Sequence, residues 1–309
     1  FDCDSLAHAV RLLTVALDIS TMMTAQPTPR LAARTWDYRP LGLGFTNLAA
    51  LLMSSGVAYD SDAGRAMCAA VAALITGTAY TASSEMAGEL GCFPAHARTR
   101  EAMTRVVRTH AAAIHGRSDL YDGLTVKPVG LTADACPDRE LSVTARRIWD
   151  RLSRTAAETG FRNAQVTLVS PAEEVGVLLD SAGGGLEPGF SLVRFERLPG
   201  GGFRKVISPT VAHALKALGY EPAQIDSIIL HVAGNGTLRN APGINHESLR
   251  RRGFDEAALK TLEGALATTL DVAFVFNKWI LGEAFCTQAL GFTAEELDDD
   301  GFDILAALV

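Results

Sequence analysis

The sequence predicts an α/β chain that is mainly helical and carries only a few strands. Apolar residues recur at helical spacing in several long segments, whereas alternation typical of a strand occurs only in short segments after about residue 161. Apolar residues make up 48% of the 309 positions and charged residues 20%, which is typical of a chain that buries a sizeable core.

The helical segments were located from apolar spacing and from capping residues at their first positions. In the first segment, Leu6, Val10, Leu13 and Leu17 keep the helical period, and Asp4 or Ser5 is placed to cap it. The stretch 124–135 has the composition of a loop. The predicted helices cover residues 4–24, 46–55, 61–90, 98–115, 137–160, 208–218, 222–232, 246–252 and 255–267.

Two strands are predicted, at 165–170 and 190–195, because apolar and polar residues alternate there. Glycine runs at 183–185 and 200–202 follow them. The sequence therefore predicts one domain in two parts: a mainly helical half, 1–160, and a strand–loop–strand segment followed by helices, 161–309.

The charge pattern argues against two classes of partner. With a net charge of −7 and a pI near 5.5, the chain offers no basic stripe for nucleic acid or for an anionic membrane surface. No uninterrupted apolar run reaches the ~18 residues of a spanning helix. The sequence thus predicts neither a nucleic-acid nor a membrane partner.

The five cysteines, Cys3, Cys68, Cys92, Cys136 and Cys286, are scattered without a CxxC pair. This spacing makes structural zinc improbable and favours free, buried or half-buried thiols in a cytoplasmic protein. The chain begins at Phe1 and ends on the apolar run 304–309. These ends suggest a piece of a longer protein.

Four further features of the sequence resemble functional sites but are better explained by structural roles. Asn245-His246-Glu247 could do acid–base chemistry, but it is better explained as a helix start. His110 and His115 are five residues apart, which does not align two metal ligands on one helical face. The pair Gly42 and Gly44 is better explained as a tight turn before a helix than as a dinucleotide site.

The three tryptophans are the last of these features. Trp36, Trp149 and Trp279 are most simply interpreted as anchors of the core.

Several motifs, in order along the whole chain, resemble the adenosylcobalamin-dependent (class II) ribonucleotide reductases. They are RPLGLGFTNL at 39–48 with YDS at 59–61, FRNAQ at 161–165, GLEP at 185–188 with FSLVRF at 190–195 and LPGGG at 198–202, APGINHE at 241–247, and FVFNKW at 274–279 with LGE at 281–283.

The resemblance implies a fold and a chemistry. The family fold is a ten-stranded α/β barrel, so this chain would be a mainly helical, incomplete portion of it. In that family a finger-loop cysteine becomes a thiyl radical through adenosylcobalamin and initiates reduction of a ribonucleoside diphosphate. The finger motif Asn-Pro-Cys-Gly-Glu lies N-terminal to the matched region and is absent here. Cys3 matches a segment beyond the finger, and no catalytic residue is carried over.

The family's substrate-phosphate loop does fall within this chain, but in altered form. Relatives carry Ala-Pro-Thr-Gly-Thr-Ile, and the sequence here is Ser170-Pro171-Ala172-Glu173-Glu174 followed by Val175. Two hydroxyls and a glycine are replaced by residues that include two carboxylates. Like charges ~4 Å apart interact by ~4 kcal/mol at an effective dielectric of ~20, so phosphates would be repelled. The alternative is that both glutamates simply begin a helix, whose N-terminus favours negative charge.

A second departure follows the loop. Residues 181–185 (SAGGG) stand where relatives have a Cys-Asp-Thr-Thr-Gly-like stretch, whereas framework residues such as Glu187, Pro188, Asn245, His246 and Trp279 remain.

Two functions remain open. The chain is either part of a vitamin B12-dependent ribonucleoside-diphosphate reductase that needs the N-terminal half, or a degenerate, non-catalytic reductase-like domain for protein binding or assembly. In both cases we expect no turnover by this chain alone, and no binding of adenosylcobalamin or ribonucleoside diphosphate by it alone.

Overall fold

The computed structural model describes residues 1–179, 185–189, 192–197, 203–266, 269 and 271–308. Contacts within the chain group these residues into two compact units, Phe1–Gly189 and Phe190–Val309. Each unit is described by itself. Residues 161–189, which the sequence analysis grouped with the C-terminal half, pack with the helical unit.

Unit 1 is a helical body in which the predicted long helices are confirmed. The cap residues are polar: Asp2, Ser61 and Asp138 each accept a backbone N–H in the first turn of their helix. Its helices are α1 (Cys3–Met23), α2 (Pro29–Tyr38), α3 (Leu48–Ser54), α4 (Asp62–Leu90), α5 (His96–Ile114), α6 (Arg139–Thr159) and α7 (Glu173–Leu178), with 3₁₀ turns at Ser118–Leu120 and Ala133–Ala135.

The core of unit 1 is built around α4, which packs against α1 and α6. Because α4 is enclosed on several sides, it is apolar around most of its circumference. Trp149 of α6 is completely buried, and its indole N–H donates to the carbonyl oxygen of Ala73 at 2.9 Å. This contact leaves no room for a side chain at position 77, because a Cβ added to Gly77 would lie 2.6 Å from Trp149 Nε1.

Two extended segments of unit 1 run parallel to each other. Leu41 N–H donates to Gln165 O (2.9 Å), Leu43 N–H to Val166 O (3.0 Å), and Leu168 N–H to Leu43 O (3.1 Å). The predicted strand at 165–170 is therefore confirmed in part: it is extended and pairs, through one β-bridge at Thr167, with the segment around Leu43.

The tight turn predicted at Gly42 and Gly44 is wrong. Both glycines lie in the extended segment and face Leu168, whose side chain and carbonyl would be 3.4 Å from added Cβ atoms. The change of direction comes at Asn47, which adopts a left-handed φ of 73° immediately before α3. Glycine is used here for close approach between neighbouring segments, which sequence alone does not distinguish from a turn.

Unit 2 begins with an antiparallel hairpin and continues as short helices. Strand β1 (Val193–Arg197) pairs with β2 (Phe203–Ile207), with Phe195 opposite Lys205. The first residues of the predicted strand 190–195 lie outside the described residues, as does the glycine run 200–202. The helices are α8 (Thr210–Ala217), α9 (Pro222–Ala233), α10 (His246–Arg251), α11 (Glu256–Leu266), α12 (Lys278–Leu281), α13 (Glu283–Gln288), α14 (Ala294–Asp298) and α15 (Ile304–Leu308), with a 3₁₀ turn at Val272–Val275.

The core of unit 2 is separate from that of unit 1 and is formed by α11 and the short helices after it. Leu262, Val275 and Cys286 are fully buried there. Phe254 contacts both Phe276 and Phe285 edge to face, with ring centroids 6.2 and 5.1 Å away. Aromatic contacts thus hold together helices too short to be stable alone.

Several sequence predictions about buried apolar residues are wrong. Trp36 is 60% exposed on α2 and Trp279 is 83% exposed on α12, so only Trp149 is a core anchor. The Lys278 ammonium lies 4.9 Å from the centroid of the Trp279 ring. Leu13 is also exposed, because the inward face of α1 carries Thr14 and not Leu13. Helix α2, strand β2 and helices α12–α14 had no counterpart in the sequence analysis.

Two helices pass a test of length and apolar composition for crossing a membrane, although no uninterrupted apolar run was found in the sequence. They are Cys3–Met23 and Asp62–Leu90. Most of the second helix is buried inside unit 1, as the core helix of a folded unit would be, whereas little of the first is buried. Length and composition alone are weak evidence for a membrane span.

Candidate functional site

The altered loop follows the end of the second extended segment and leads into a helix. Ser170 and Pro171 are exposed, and α7 begins at Glu173. The predicted helix start at the two glutamates is confirmed for the backbone. The side chains of Glu173 and Glu174 lie outside the described set. A loop between a parallel strand and a helix is where α/β proteins commonly hold ligands.

Behind the extended segments lies a buried polar cluster, which we call the Asp18 cluster (Asp18, Arg39, Ser83 and Asn163). Asp18 Oδ1 accepts hydrogen bonds from Arg39 Nη2 at 2.7 Å, Arg39 Nε at 3.1 Å and Asn163 Nδ2 at 2.8 Å. Ser83 Oγ donates to Asn163 Oδ1 at 2.9 Å and accepts from Asn163 N–H at 2.9 Å. All four residues are buried.

The Asp18 cluster fixes the starting points of both extended segments. Arg39 ends α2 in a left-handed conformation, with φ 43°, and Asn163 Nδ2 also donates to the Arg39 carbonyl at 3.0 Å. A buried carboxylate needs such charged and polar partners, since burial alone would strongly disfavour its charge. This cluster was not predicted from the sequence. Only one feature of the sequence indicates such a cluster, namely an aspartate, Asp18, in a mainly apolar helix.

The segment Gly185–Glu187 lies against the altered loop. A Cβ at Gly185 would be 3.3 Å from the Ser170 carbonyl oxygen and 3.0 Å from Glu187 Oε2, so both groups crowd the same glycine. Tyr59 Oη donates to the Leu186 carbonyl at 2.7 Å and holds this segment in place. Glu187 Oε2 is buried and has no hydrogen-bond partner among the residues that the structure describes.

The residue types at this loop are rich in carboxyl groups. Besides the two glutamates at the start of α7, Glu187 brings a third carboxyl group close to Ser170. Among the described residues, the Ser170 hydroxyl bonds to the neighbouring Pro171 carbonyl at 3.1 Å. The glycine positions 183 and 184, and Ser181, lie outside the described residues. The sequence prediction of a degenerate phosphate loop stays a prediction.

The five thiols are all free, as expected. Burial raises the pKa of Cys3, Cys68, Cys136 and Cys286. Cys92 is half-buried, and its Sγ donates to the Thr159 carbonyl at 3.3 Å. None of these thiols lies in the extended segments or in the loop that follows them.

The other residues considered in the sequence take structural positions. Asn245 caps α10 through Ser248 N–H at 3.0 Å, which confirms a helix start at 245–247. His246 Nε2 bonds to Glu263 Oε1 at 2.7 Å. Burial raises the pKa of the Glu263 carboxyl, but the Leu238 N–H, the His246 ring and the Thr237 hydroxyl outweigh it and leave that pKa lowered.

The two histidines near the end of α5 have separate partners. The His110 ring stacks on Trp149, with centroids 5.4 Å apart, and His115 Nε2 bonds to Asp150 at 2.9 Å. Within the described ranges, no group of three or more His, Cys, Asp or Glu side chains could hold a metal ion.

A parallel pair of extended segments, flanked by helices and followed by a loop at its carboxyl end, is typical of the α/β class of proteins. The family model "Ribonucleotide reductase, barrel domain" matches residues 1–280. The chain belongs to this family.

Three curated relatives share one name. The chain is 44% identical over 298 residues, or 96% of its length, to the vitamin B12-dependent ribonucleotide reductase of Agrobacterium fabrum, of which this covers 23%. It is 42% identical over its whole length to the protein of that name from Bradyrhizobium diazoefficiens (25% of that protein), and 36% identical over 98% of its length to the one from Streptomyces avermitilis (30%).

These relatives confirm the resemblance to the cobalamin-dependent branch. The chain spans about a quarter of the length of the first two curated relatives it matches.

Proposed function

We propose that this chain supplies part of the barrel of a vitamin B12-dependent ribonucleoside-diphosphate reductase and does not reduce ribonucleotides alone. In this proposal it is a mainly helical, incomplete portion of a ten-stranded α/β barrel. The segments around Leu43 and Thr167 are two neighbouring parallel strands of that barrel. The observation that carries the proposal is their parallel pairing, with the family's loop position directly after the second strand.

The expected inactivity rests on a motif that this sequence lacks. A thiyl-radical reaction needs a cysteine beside the substrate, and the family's finger motif Asn-Pro-Cys-Gly-Glu, which supplies it, does not occur in these 309 residues. The residues of this chain therefore do not fit the radical role of adenosylcobalamin by themselves. The cysteine and the cofactor contacts are assigned to the rest of the protein, and ribonucleoside diphosphate is its substrate.

A second function is favoured by one specific observation, the replacement of Thr-Gly-Thr by Ala172-Glu173-Glu174. Carboxylates at a phosphate site repel the ligand, whereas the Asp18 cluster and the core of unit 1 are intact. A non-catalytic reductase-like domain would show this combination, in which the phosphate-loop residues are replaced and the scaffold is kept. Such a domain would act in protein binding or assembly.

Calorimetry tests the interpretation of the loop. We expect no heat of binding from ADP, CDP or adenosylcobalamin with the purified chain. The variant Ala172→Thr/Glu173→Gly/Glu174→Thr should bind ADP if the scaffold is intact. A control, Glu247→Gln/Glu256→Gln, removes two exposed carboxylates of unit 2 and should leave binding absent. Micromolar ADP binding by the unaltered chain would contradict the degenerate loop.

Co-expression separates the two functions. The partner would be the part of the Agrobacterium relative that precedes its matched segment, assayed with adenosylcobalamin, a dithiol and CDP. Formation of deoxycytidine diphosphate would support the reductase function. A stable complex without product would support the non-catalytic domain, and failure of the two parts to associate would contradict the shared barrel.

A further inference from the structure

Unit 2 contains a cleft of about 1040 Å³, a volume at the upper end of the ~300–1,000 Å³ of small-molecule sites. It lies between strand β2, the turn after α9, and the ends of α10, α11 and α15. The cleft is distinct from the loop at Ser170 and uses none of its residues. It was not foreseen in the sequence, because its walls come from segments up to about a hundred residues apart.

The walls of the cleft are largely apolar. Phe203 forms one side, and Leu266, Val272, Leu305 and Leu308 form others. Phe203 is half exposed although it is aromatic, so its ring is available to contact a ligand. A cleft with this lining favours a ligand with an apolar or aromatic body, because burying such a body removes apolar surface from water.

The charged side chains that line the cleft, Lys205 and Arg252, are both basic and come from β2 and the end of α10, and His231 of α9 lies beside them in the lining. The Glu263 carboxylate accepts hydrogen bonds from Thr237 and Leu238 of the turn but is not itself among the lining residues. No aspartate or glutamate is among the lining residues in the described part of the chain, although acidic residues outnumber Lys and Arg by 35 to 28 overall. Lys205 and His231 form no ion pair with any described residue. Because its charged side chains are basic, this lining attracts anions.

The turn after α9 adds hydrogen-bond donors on the same side. The backbone N–H groups of Asn235, Gly236 and Thr237 donate to no acceptor among the described residues, and all three residues line the cleft. Gly236 has φ +64° and open space where a Cβ would stand. Successive free N–H groups in a turn of this kind form anion-binding concavities.

We infer that this cleft binds a small amphiphilic anion, that is, a phosphate, sulfonate or carboxylate group carried directly on a hydrocarbon body, either aliphatic or aromatic. Nucleotides are outside this class, because a polar ribose separates their phosphates from the base. The anionic group lies at the turn 235–237, within reach of the cations that line the cleft. The apolar body lies against Phe203 and the leucines of α11 and α15. The site is carried by unit 2 and is independent of the function proposed for the barrel loop.

The test uses two fluorescent probes that differ by one charged group. 8-Anilinonaphthalene-1-sulfonate has the anion and the aromatic body, whereas N-phenyl-1-naphthylamine has the same body without the sulfonate. We expect saturable binding of the sulfonate probe with one site per chain. The neutral probe should bind about tenfold more weakly, as the loss of one charge-assisted interaction implies. Equal affinity of the two probes would overturn the anion site.

Matched variants place the probe in the cleft. Lys205→Gln should weaken the sulfonate probe about tenfold, whereas Lys260→Gln, on the exposed side of α11, should not. Phe203→Ala should weaken both probes, and Phe274→Ala, an exposed aromatic outside the lining, should weaken neither. Circular dichroism melts check that each variant is folded. If Lys205→Gln and Phe203→Ala are both folded and bind the sulfonate probe with unchanged affinity, the proposal is overturned.

Two further ligands distinguish the sources of such an anion. Inorganic pyrophosphate supplies the charge without the body, and we expect it not to displace the sulfonate probe at equal concentration. Dodecyl phosphate should displace it, because it has both parts. Displacement by pyrophosphate and not by dodecyl phosphate would mean a plain anion site and would contradict the amphiphile.

Discussion

Arg39 and Asp18 form a buried ion pair, with Nη2 and Oδ1 2.7 Å apart and only 3% and 5% of the two side chains exposed. Arg39 ends α2 where the first extended segment begins, and Asp18 belongs to α1. The same carboxyl oxygen also binds Asn163, just before the second segment. One carboxylate thus holds the starts of both extended segments, the second of which leads to the altered loop.

Asp18→Ala should destabilise unit 1 by about 3–5 kcal/mol, because it leaves the Arg39 guanidinium buried without its counter-charge. Urea unfolding followed by the fluorescence of the buried Trp149 measures the change. The control is Asp60→Ala, which removes an exposed partner of Arg65 and should leave the unfolding midpoint unchanged. A similar midpoint for both variants would contradict the structural role of the Asp18 cluster.

Gly77→Ala should destabilise the protein by about 1–3 kcal/mol, although alanine normally favours a helix over glycine. The added Cβ would lie 2.6 Å from Trp149 Nε1 and 2.9 Å from Ile148 Cγ2. Thermal unfolding measures the effect.

Gly88→Ala in the same helix is the matched control. Its Cβ would lie 3.5 Å from Thr159 Cγ2, an ordinary contact, so it should stabilise by up to about 1 kcal/mol. Stabilisation by both substitutions would show that α4 and α6 are not in close contact at Gly77.

Protonation of Glu263 should make unit 2 less stable at acid pH. Its pKa is lowered in the folded protein by the Leu238, His246 and Thr237 hydrogen bonds, which exceed the opposing effect of burial. A carboxyl with a lowered pKa contributes stability above its unfolded pKa, about 4.3, and this contribution is lost as the pH falls through the folded value.

Urea midpoints at pH 7 and at about pH 3.5 measure this effect. At pH 7 the urea midpoint of the wild type should be higher than that of Glu263→Gln. This difference between the two midpoints should shrink at the acid pH. Glu256→Gln, exposed on the same helix, is the control. A difference that stays constant with pH would contradict the charged hydrogen-bonded state of Glu263.

The five thiols should react in two groups with a disulfide reagent such as DTNB. Cys68 and Cys92 are half-buried and should react first in the folded protein, whereas Cys3, Cys136 and Cys286 are buried and should react only on unfolding. Burial raises the pKa of Cys68 as well as that of the buried three, so the order of reaction rests on access to the sulfur and not on the fraction of thiolate. Rapid labelling of all five in native buffer would contradict this order.

Local sequence patterns identified much of the helical structure. Apolar residues at helical spacing predicted the long helices correctly, although the cap of α1 is Asp2 and not the predicted Asp4 or Ser5. Glu173 was correctly interpreted as a helix start. These features depend on neighbouring residues, so a single sequence contains them. Trp36 and Trp279 were placed wrongly, because aromatic character does not say which helical face a residue occupies.

The sequence by itself determined the family, the long helices and the substitution of two glutamates into the expected phosphate loop. The tertiary structure alone decided how that loop is supported and where an anion could bind. Asp18 meets Arg39 and Asn163 across 21 and 145 positions of the chain, and Lys205 joins His231 and Arg252 around one cleft. Such contacts follow from how distant segments pack, and residue spacing along the chain does not specify them.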